Sequence, residues 1–115
     1  MYQVCMALPI LPGNESKLKD LAKTLKGAKS KEFDQSQKRS KTKKETWFLQ
    51  SGSEGTLSLV YFESEMSPEK TFENFAKSKD PFDVWFKSQL KEISGIDFDA
   101  GPEGAMPQQI LTYGY

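Results

Sequence analysis

The most informative absence in this 115-residue chain is histidine, of which it has none. Without an imidazole the chain cannot build a Ser-His-Asp triad or a Cys-His pair, and it cannot ligate haem or most zinc sites through histidine. Cysteine is nearly as scarce. Because Cys5 is the only one, an internal disulfide and a thiolate metal cluster are both excluded. We therefore expect no metal and no cofactor.

Long apolar segments are missing as well. No stretch approaches the roughly 20 consecutive apolar residues that cross a bilayer. Residues 1–9 also lack the basic start and the long apolar run of a signal peptide. These features predict a soluble, cytoplasmic protein with no membrane partner.

The chain has no excess charge of either sign, since 16 Lys and Arg face 16 Asp and Glu. The charges are nevertheless uneven, because residues 1–44 hold eleven basic and four acidic side chains. The basic run at residues 38–44 (KRSKTKK) lacks the interleaved aromatic side chains and the recognised module typical of nucleic-acid binding. We interpret it as a solvated surface and do not expect nucleic acid as a partner. Opposite charged patches also suit association between two copies.

What the chain does contain is typical of a globular protein. Hydrophobic residues make up 37%, charged residues 28% and aromatic residues 12% of the sequence. Large rings contribute much buried area per residue, so a substantial core is feasible at this length. Residues 1–115 are therefore expected to form a single domain.

The first third of the chain predicts a strand followed by two helices. Residues 2–8 read as a strand that is apolar on both faces. A helix follows, with Asn14 or Ser16 as its capping residue and Gly27 as its end. A more polar second helix is predicted over residues 29–41.

Two strands come next, over residues 45–50 and 56–63, separated by a glycine-containing loop of hairpin length. Both faces of this hairpin are largely apolar. One layer of helices covers only one side of such a sheet. The other side therefore requires a second sheet, which we expect a second copy of the chain to supply.

The last third predicts two helices with well-defined starts. Ser67 and Asp80 are capping residues, and each is followed directly by proline at the first helical position. Gly95 fits the left-handed position after the second of these helices.

Residues 97–108 are predicted to be a long loop, and residues 109–113 a last short strand. The resulting order is that of a ferredoxin-like βαββαβ fold of the α+β class, with a four-stranded antiparallel sheet. The open sheet face predicts a homodimer of the dimeric α+β-barrel type.

A resemblance supports this architecture. Residues 7–13 (ALPILPG), 45–50 (ETWFLQ), 80–86 (DPFDVWF) and 95–97 (GID) resemble a family of small, uncharacterised bacterial proteins. That family is related to the dimeric α+β-barrel superfamily of antibiotic-biosynthesis-monooxygenase-like proteins. The resemblance implies the ferredoxin-like fold and the barrel dimer. It transfers no chemistry, since fold does not imply function.

A candidate pocket follows from side chains that suit an apolar cavity with a few polar groups. These candidates are Arg39, Glu45, Trp47, Gln50, Tyr61, Phe82, Trp85 and Phe86. The arginine fork suits a carboxylate or a phosphate. The competing interpretation is that the aromatic rings form core and that Arg39 pairs with Glu45 near the surface. No catalytic residue is assigned.

Two functions remain open at this point. The protein either binds a small apolar or aromatic molecule within the homodimer, or acts on an aromatic substrate as a cofactor-independent monooxygenase or isomerase. Whether the chain is an enzyme is not decided by the sequence.

Overall fold

The structure is a computed structural model that describes residues 1–101 and 106–114. Its elements are β1 (Tyr2–Ile10), α1 (Glu15–Lys26), α2 (Ser30–Arg39), β2 (Thr42–Gly52), β3 (Gly55–Ser64), α3 (Pro68–Lys77), α4 (Pro81–Ser94) and a 3-10 turn (Phe98–Ala100). The α+β class and the antiparallel sheet are confirmed.

The three strands pair in the order β1-β3-β2, and all pairs are antiparallel. Side chains alternate between the two faces of a strand, so the register fixes which residues share a face. The helices cover one face, called here the inner face, with Val4, Met6, Leu8, Glu45, Trp47, Leu49, Ser58, Val60 and Phe62. The opposite face, called here the open face, carries Cys5, Ala7, Thr46, Phe48, Gln50, Leu57, Leu59 and Tyr61.

The core lies between the inner face and helices α1 and α4. Leu18, Leu21 and Leu25 recur at helical spacing and are all buried along α1. Helix α4 supplies most of the remaining buried side chains, namely Phe82, Phe86, Leu90 and Ile93.

Helix α1 begins differently from the prediction. Asn14 is the residue before the helix, but its side chain makes no capping hydrogen bond. Its amide Nδ2 instead donates to the carbonyl oxygens of Glu92 at 3.1 Å and Ile93 at 3.3 Å. The asparagine therefore joins the start of α1 to the end of α4.

The predicted ends of the last two helices are confirmed. The Ser67 hydroxyl accepts the Lys70 amide at 3.3 Å, and the Asp80 carboxylate accepts the Phe82 amide at 3.0 Å. Each bond satisfies an amide that the first helical turn leaves unpaired. Gly95 ends α4 in the left-handed conformation, with φ of 79°.

The predicted fourth strand is not part of this sheet, which has three strands in the described residues. Residues 109–113 have no regular secondary structure, and Ile110, Leu111 and Tyr113 are 89%, 85% and 100% exposed. A strand forms only where its backbone finds a partner. The side-chain bond from Gln109 to Gln3 at 3.0 Å joins this segment to β1 without pairing the two backbones. Part of the predicted loop at residues 97–108 forms the 3-10 turn, and residues 102–105 lie outside the described residues.

No helix in the described ranges combines the length and the apolar character needed to span a bilayer.

Candidate functional site

A cavity of about 400 Å³ opens between the inner face and helices α2, α3 and α4. Its walls are mainly apolar and include Met6, Leu8, Trp47, Val60, Phe62, Phe72, Phe75, Phe86, Leu90 and Phe98. The strands contribute alternate residues, and α3 contributes Phe72 and Phe75, which are three positions apart and so share a helix face. The cavity therefore lies between the sheet and the face of α3 that carries these two rings.

Aromatic pairs hold the walls in place. The rings of Trp47 and Phe86 are stacked, with centroids 6.2 Å apart and planes inclined by 14°. Phe75 meets Phe86 at 5.8 Å and Phe98 at 6.0 Å, in both cases nearly edge to face. Such pairs contribute about 0.5–1.5 kcal/mol beyond their buried area. The cavity is thus built from rings that are fixed in orientation.

Lys87, which is not among the residues that line the cavity, connects three elements around it. Its ammonium is buried and donates to the carbonyl oxygens of Ala76 at 3.0 Å and Ser78 at 3.1 Å. It also pairs with the Asp99 carboxylate at 2.7 Å. One lysine therefore joins the end of α3, helix α4 and the 3-10 turn that carries Phe98.

Glu45 is the acidic side chain that β2 places on the inner face beside the apolar wall. Its two oxygens accept hydrogen bonds from different donors: Oε1 from the Gln37 amide at 2.9 Å, and Oε2 from the Trp47 indole at 2.7 Å. Burial raises the pKa of Glu45, and the bonds from Gln37 and Trp47 oppose that rise without cancelling it. The group thus combines a fixed position with a perturbed pKa, a combination typical of functional sites.

This raised pKa has a consequence for stability. As the pH rises above the ordinary glutamate pKa, the unfolded chain loses the Glu45 proton before the folded chain does, so the contribution of Glu45 to stability falls. Glu45→Gln cannot ionise and should therefore gain stability relative to the wild type as the pH rises through this window. Urea unfolding over about pH 4 to 8 measures the difference. Glu54→Gln makes the same charge change in the exposed β2–β3 turn and is the control. A difference between Glu45→Gln and the wild type that stays constant over this pH range would contradict the prediction.

A second polar group lies in the cavity wall, centred on the buried carboxylate of Asp83. It accepts hydrogen bonds from the hydroxyls of Ser36 and Ser78, both at 2.7 Å, and from the Arg39 guanidinium at 3.1 Å. Burial favours the neutral acid, but the bonds from Ser78, Ser36 and Arg39 outweigh it, and the pKa of Asp83 lies below its usual value. The carboxylate thus joins α2, the α3–α4 connection and α4.

Arg39 does not pair with Glu45, contrary to the surface-pair interpretation. Its Nη2 lies 3.1 Å from the Asp83 carboxylate and 3.3 Å from that of Asp80. Two acidic side chains therefore share the one guanidinium. The arginine that the sequence offered for a ligand carboxylate already binds carboxylates of its own chain.

The structure brings together four of the eight candidate pocket residues. The cavity is lined by Arg39, Glu45, Trp47 and Phe86. Phe82 is buried and packs on Phe33 at 6.4 Å, whereas Trp85 lies under the Lys29 ammonium at 4.8 Å. Both of these rings stand on α4 outside the cavity lining.

Gln50 and Tyr61 lie on the open face, on the other side of the sheet from the cavity. The Tyr61 hydroxyl donates to the Glu63 carboxylate at 2.6 Å, and this bond, with burial, raises the pKa of Tyr61. Their separation from Trp47 follows from the strand alternation, since Trp47 pairs with Val60 on the inner face.

Sequence reasoning missed the polar wall and the α3 contribution. Asp83 and Thr71 carry no local signal, because each follows a capping residue in an ordinary first helical turn. Phe72 and Phe75 are three positions apart and share a face of α3. Spacing alone cannot show that the rings border a cavity rather than fill a core.

The basic run at residues 38–44 is partly neutralised by neighbouring acids. Lys38 pairs with Asp34 at 3.0 Å, and Lys43 pairs with Glu65 at 3.0 Å. Within the described ranges no group of three or more Cys, Asp or Glu side chains is arranged to hold a metal ion. Cys5 is exposed on the open face.

The chain matches no family model, no curated protein and no solved structure.

Proposed function

We propose that this protein binds a small apolar or aromatic molecule in the cavity between the inner face and α3. The observation that carries the proposal is the cavity itself, with its aromatic walls and its few fixed polar groups. Ligand pockets typically measure about 300–1,000 Å³ and are mostly apolar, with a small number of placed polar groups. A volume of about 400 Å³ suits a small ligand.

The chemistry of the walls supports an aromatic ligand in particular. Trp47, Phe75 and Phe86 present ring faces and edges in fixed orientations around the cavity. A planar ligand can form stacked or edge-to-face contacts with such rings, and these contacts contribute beyond simple burial of area. The same rings would pack less favourably against a strongly hydrated ligand, because polar groups without partners are costly to bury.

The working unit that we propose is a homodimer formed through the open face. Phe48 is 57% exposed and Leu57 is 38% exposed, and Ala7 and Leu59 lie in the same row of the sheet as Phe48. A contiguous apolar surface of this kind is typical of an interaction site. Two such faces packed together would form the α+β barrel that the ferredoxin-like resemblance implies.

The C-terminal segment fits this arrangement. Ile110, Leu111 and Tyr113 are almost fully exposed, and Pro107 to Gln109 border a small cavity of about 150 Å³ beside Cys5 and Tyr61 of the open face. A second copy would give these side chains a surface to pack on. In that state residues 109–113 would form the fourth strand, because β1 has an unpaired edge in this sheet.

One observation favours the second candidate function, a cofactor-independent monooxygenase or isomerase. Glu45 is a carboxylate beside an aromatic-lined cavity, and its pKa is raised. A proton acceptor with a raised pKa is what abstraction of a substrate proton near neutral pH requires. Ligand binding requires only the cavity, whereas catalysis also requires Glu45 to accept a proton. Binding is therefore the primary proposal.

The binding proposal is tested with N-phenyl-1-naphthylamine, a neutral aromatic probe whose fluorescence increases in apolar surroundings. We expect saturable binding to the wild type. Val60→Phe, which places a larger side chain in the cavity wall, should weaken binding by about tenfold or more, equivalent to about 1.4 kcal/mol. Val84→Phe is the matched control, because Val84 is exposed on α4 and does not line the cavity.

Equal weakening by both variants, or no saturable binding at all, would contradict the proposal. Oxygen uptake and product formation, followed with 2-naphthol as substrate, separate the two functions. A binding protein causes neither oxygen uptake nor product formation. A monooxygenase consumes oxygen, whereas an isomerase forms a product without consuming oxygen.

A further inference from the structure

The hydrogen bonds around Glu45 leave part of its carboxylate without a partner. An ionised carboxylate offers about four acceptor positions on two oxygens. Gln37 and Trp47 each use one position, and each binds a different oxygen. Within the described residues no further donor reaches this carboxylate. Its remaining acceptor capacity borders the cavity that Glu45 lines.

The two protein donors also fix the role of the carboxylate. Each oxygen faces an N–H group, so a proton on either oxygen would weaken one of these bonds. The arrangement therefore favours Glu45 as an acceptor. The complementary group on a ligand is an O–H or N–H donor.

The other charges around the cavity disfavour an anionic ligand. The two cationic side chains among its described lining residues are both ion-paired: Arg39 with Asp80 and Asp83, and Lys77 with Glu73 at 2.8 Å. Asp83 and Glu45 add negative charge to the walls. A ligand carboxylate or phosphate would meet repulsion without a cation free to offset it.

We propose that the cavity selects neutral aromatic molecules that carry an O–H or N–H donor, such as phenols and heteroaromatic amines, and that Glu45 is the residue that accepts the hydrogen bond from that donor. This inference rests on the binding function proposed above and names its ligand class.

The test compares three probes that share a naphthalene body. These probes are 2-naphthol, which donates a hydrogen bond, and 2-methoxynaphthalene and 2-acetylnaphthalene, which only accept one. Titrations by NMR chemical shift at mildly alkaline pH give the three dissociation constants. We expect 2-naphthol to bind about 10- to 100-fold more tightly than the two acceptors, the factor appropriate to a hydrogen bond with a charged partner.

Glu45→Gln should reduce this preference to about threefold or less, because its amide has one acceptor oxygen and must place an N–H group toward a protein donor or the cavity. Glu54→Gln makes the same charge change in the exposed β2–β3 turn and should retain the wild-type preference. The comparison of the three probes on the wild type tests the inference independently of any effect of Glu45→Gln on folding.

The possible outcomes distinguish the proposed ligand class from the binding function itself. Equal binding of all three probes, unchanged by Glu45→Gln, would overturn the inference and leave the binding function standing. Tighter binding of 2-acetylnaphthalene would also overturn it, because Glu45 would then act as a donor. Failure of all three probes to bind would overturn both the inference and the proposed function.

Discussion

Replacing Asp83 with alanine is expected to lower the free energy of unfolding by about 2–4 kcal/mol, among the largest effects of any single change outside the apolar core. The carboxylate is buried and accepts three hydrogen bonds, from Ser36, Ser78 and Arg39. Without it the two hydroxyls lose their partner, and the guanidinium retains only Asp80. The negative charge near the start of α4 is lost as well, which removes a favourable interaction with the helix dipole.

Urea unfolding followed by circular dichroism measures this loss. Asp34→Ala is the control, because Asp34 pairs with Lys38 on the exposed side of α2 and should cost less than about 0.5 kcal/mol. Asp83→Asn should fall between alanine and the wild type, since its single oxygen can still accept a hydroxyl. If Asp83→Ala and Asp34→Ala had the same free energy of unfolding, the three hydrogen bonds to Asp83 would make no net contribution to stability.

The same substitution should change the acid sensitivity of the protein. The pKa of Asp83 is lowered on folding, so its contribution to stability is present above the ordinary aspartate pKa and is lost as the pH falls through the folded-state value. The difference in the free energy of unfolding between Asp83→Ala and the wild type should therefore decrease in acid. This difference should be largest near neutral pH.

The parts of the fold that sequence predicts well are those fixed by neighbouring residues. Ser67 and Asp80 each precede a proline, and each caps its helix as expected. Gly95 takes the left-handed conformation that few other residues adopt at low cost. In these cases the deciding interaction lies within about four positions of the residue concerned.

The faces of the sheet show where sequence reasoning becomes insufficient. Alternation along β2 alone places Gln50 on the face opposite Trp47, so its absence from the cavity could have been predicted. Tyr61 is different, because its face relative to Trp47 depends on the register between β2 and β3. A slip of one residue would exchange Tyr61 and Val60 between the two faces.

The polar wall of the cavity lies beyond any local pattern. Ser36 and Asp83 are 47 positions apart and meet only because α2 and α4 pack together. Glu45 was identified as a candidate, but its bond to Gln37 depends on how α2 crosses the sheet. The cavity itself is a property of packing, since its volume depends on how far α3 lies from the inner face.

The C-terminal segment illustrates a further physical limit. Its apolar pattern at residues 109–113 is that of a strand, yet a pattern becomes a strand only when a second backbone is available for hydrogen bonding. In the single chain this segment is exposed. If its partner surface lies partly on a second copy, then the pattern describes the assembly rather than the isolated domain.

The largest expected effect on assembly comes from Leu59→Asp. Leu59 lies at the centre of the open face, between Ala7 on β1 and Phe48 on β2. In the proposed homodimer an aspartate at this position would be buried without a partner charge, at a cost of several kcal/mol. We expect the dimer dissociation constant to rise by roughly 100-fold or more, so that the variant is monomeric where the wild type is dimeric.

Native mass spectrometry and light scattering after size-exclusion chromatography measure the two states. Phe48→Asp is a second variant that should also dissociate the dimer, and it protects the test against misfolding, because Phe48 is 57% exposed in the single chain. Val84→Asp makes the same kind of change on the exposed side of α4 and should leave the dimer intact. Circular dichroism confirms that each variant is folded.

A monomeric wild type, or dimers from both open-face variants, would refute the proposed interface. The exposed apolar face and the C-terminal segment would then require a different partner. The cavity, whose described lining residues all belong to one chain, would keep its proposed ligand.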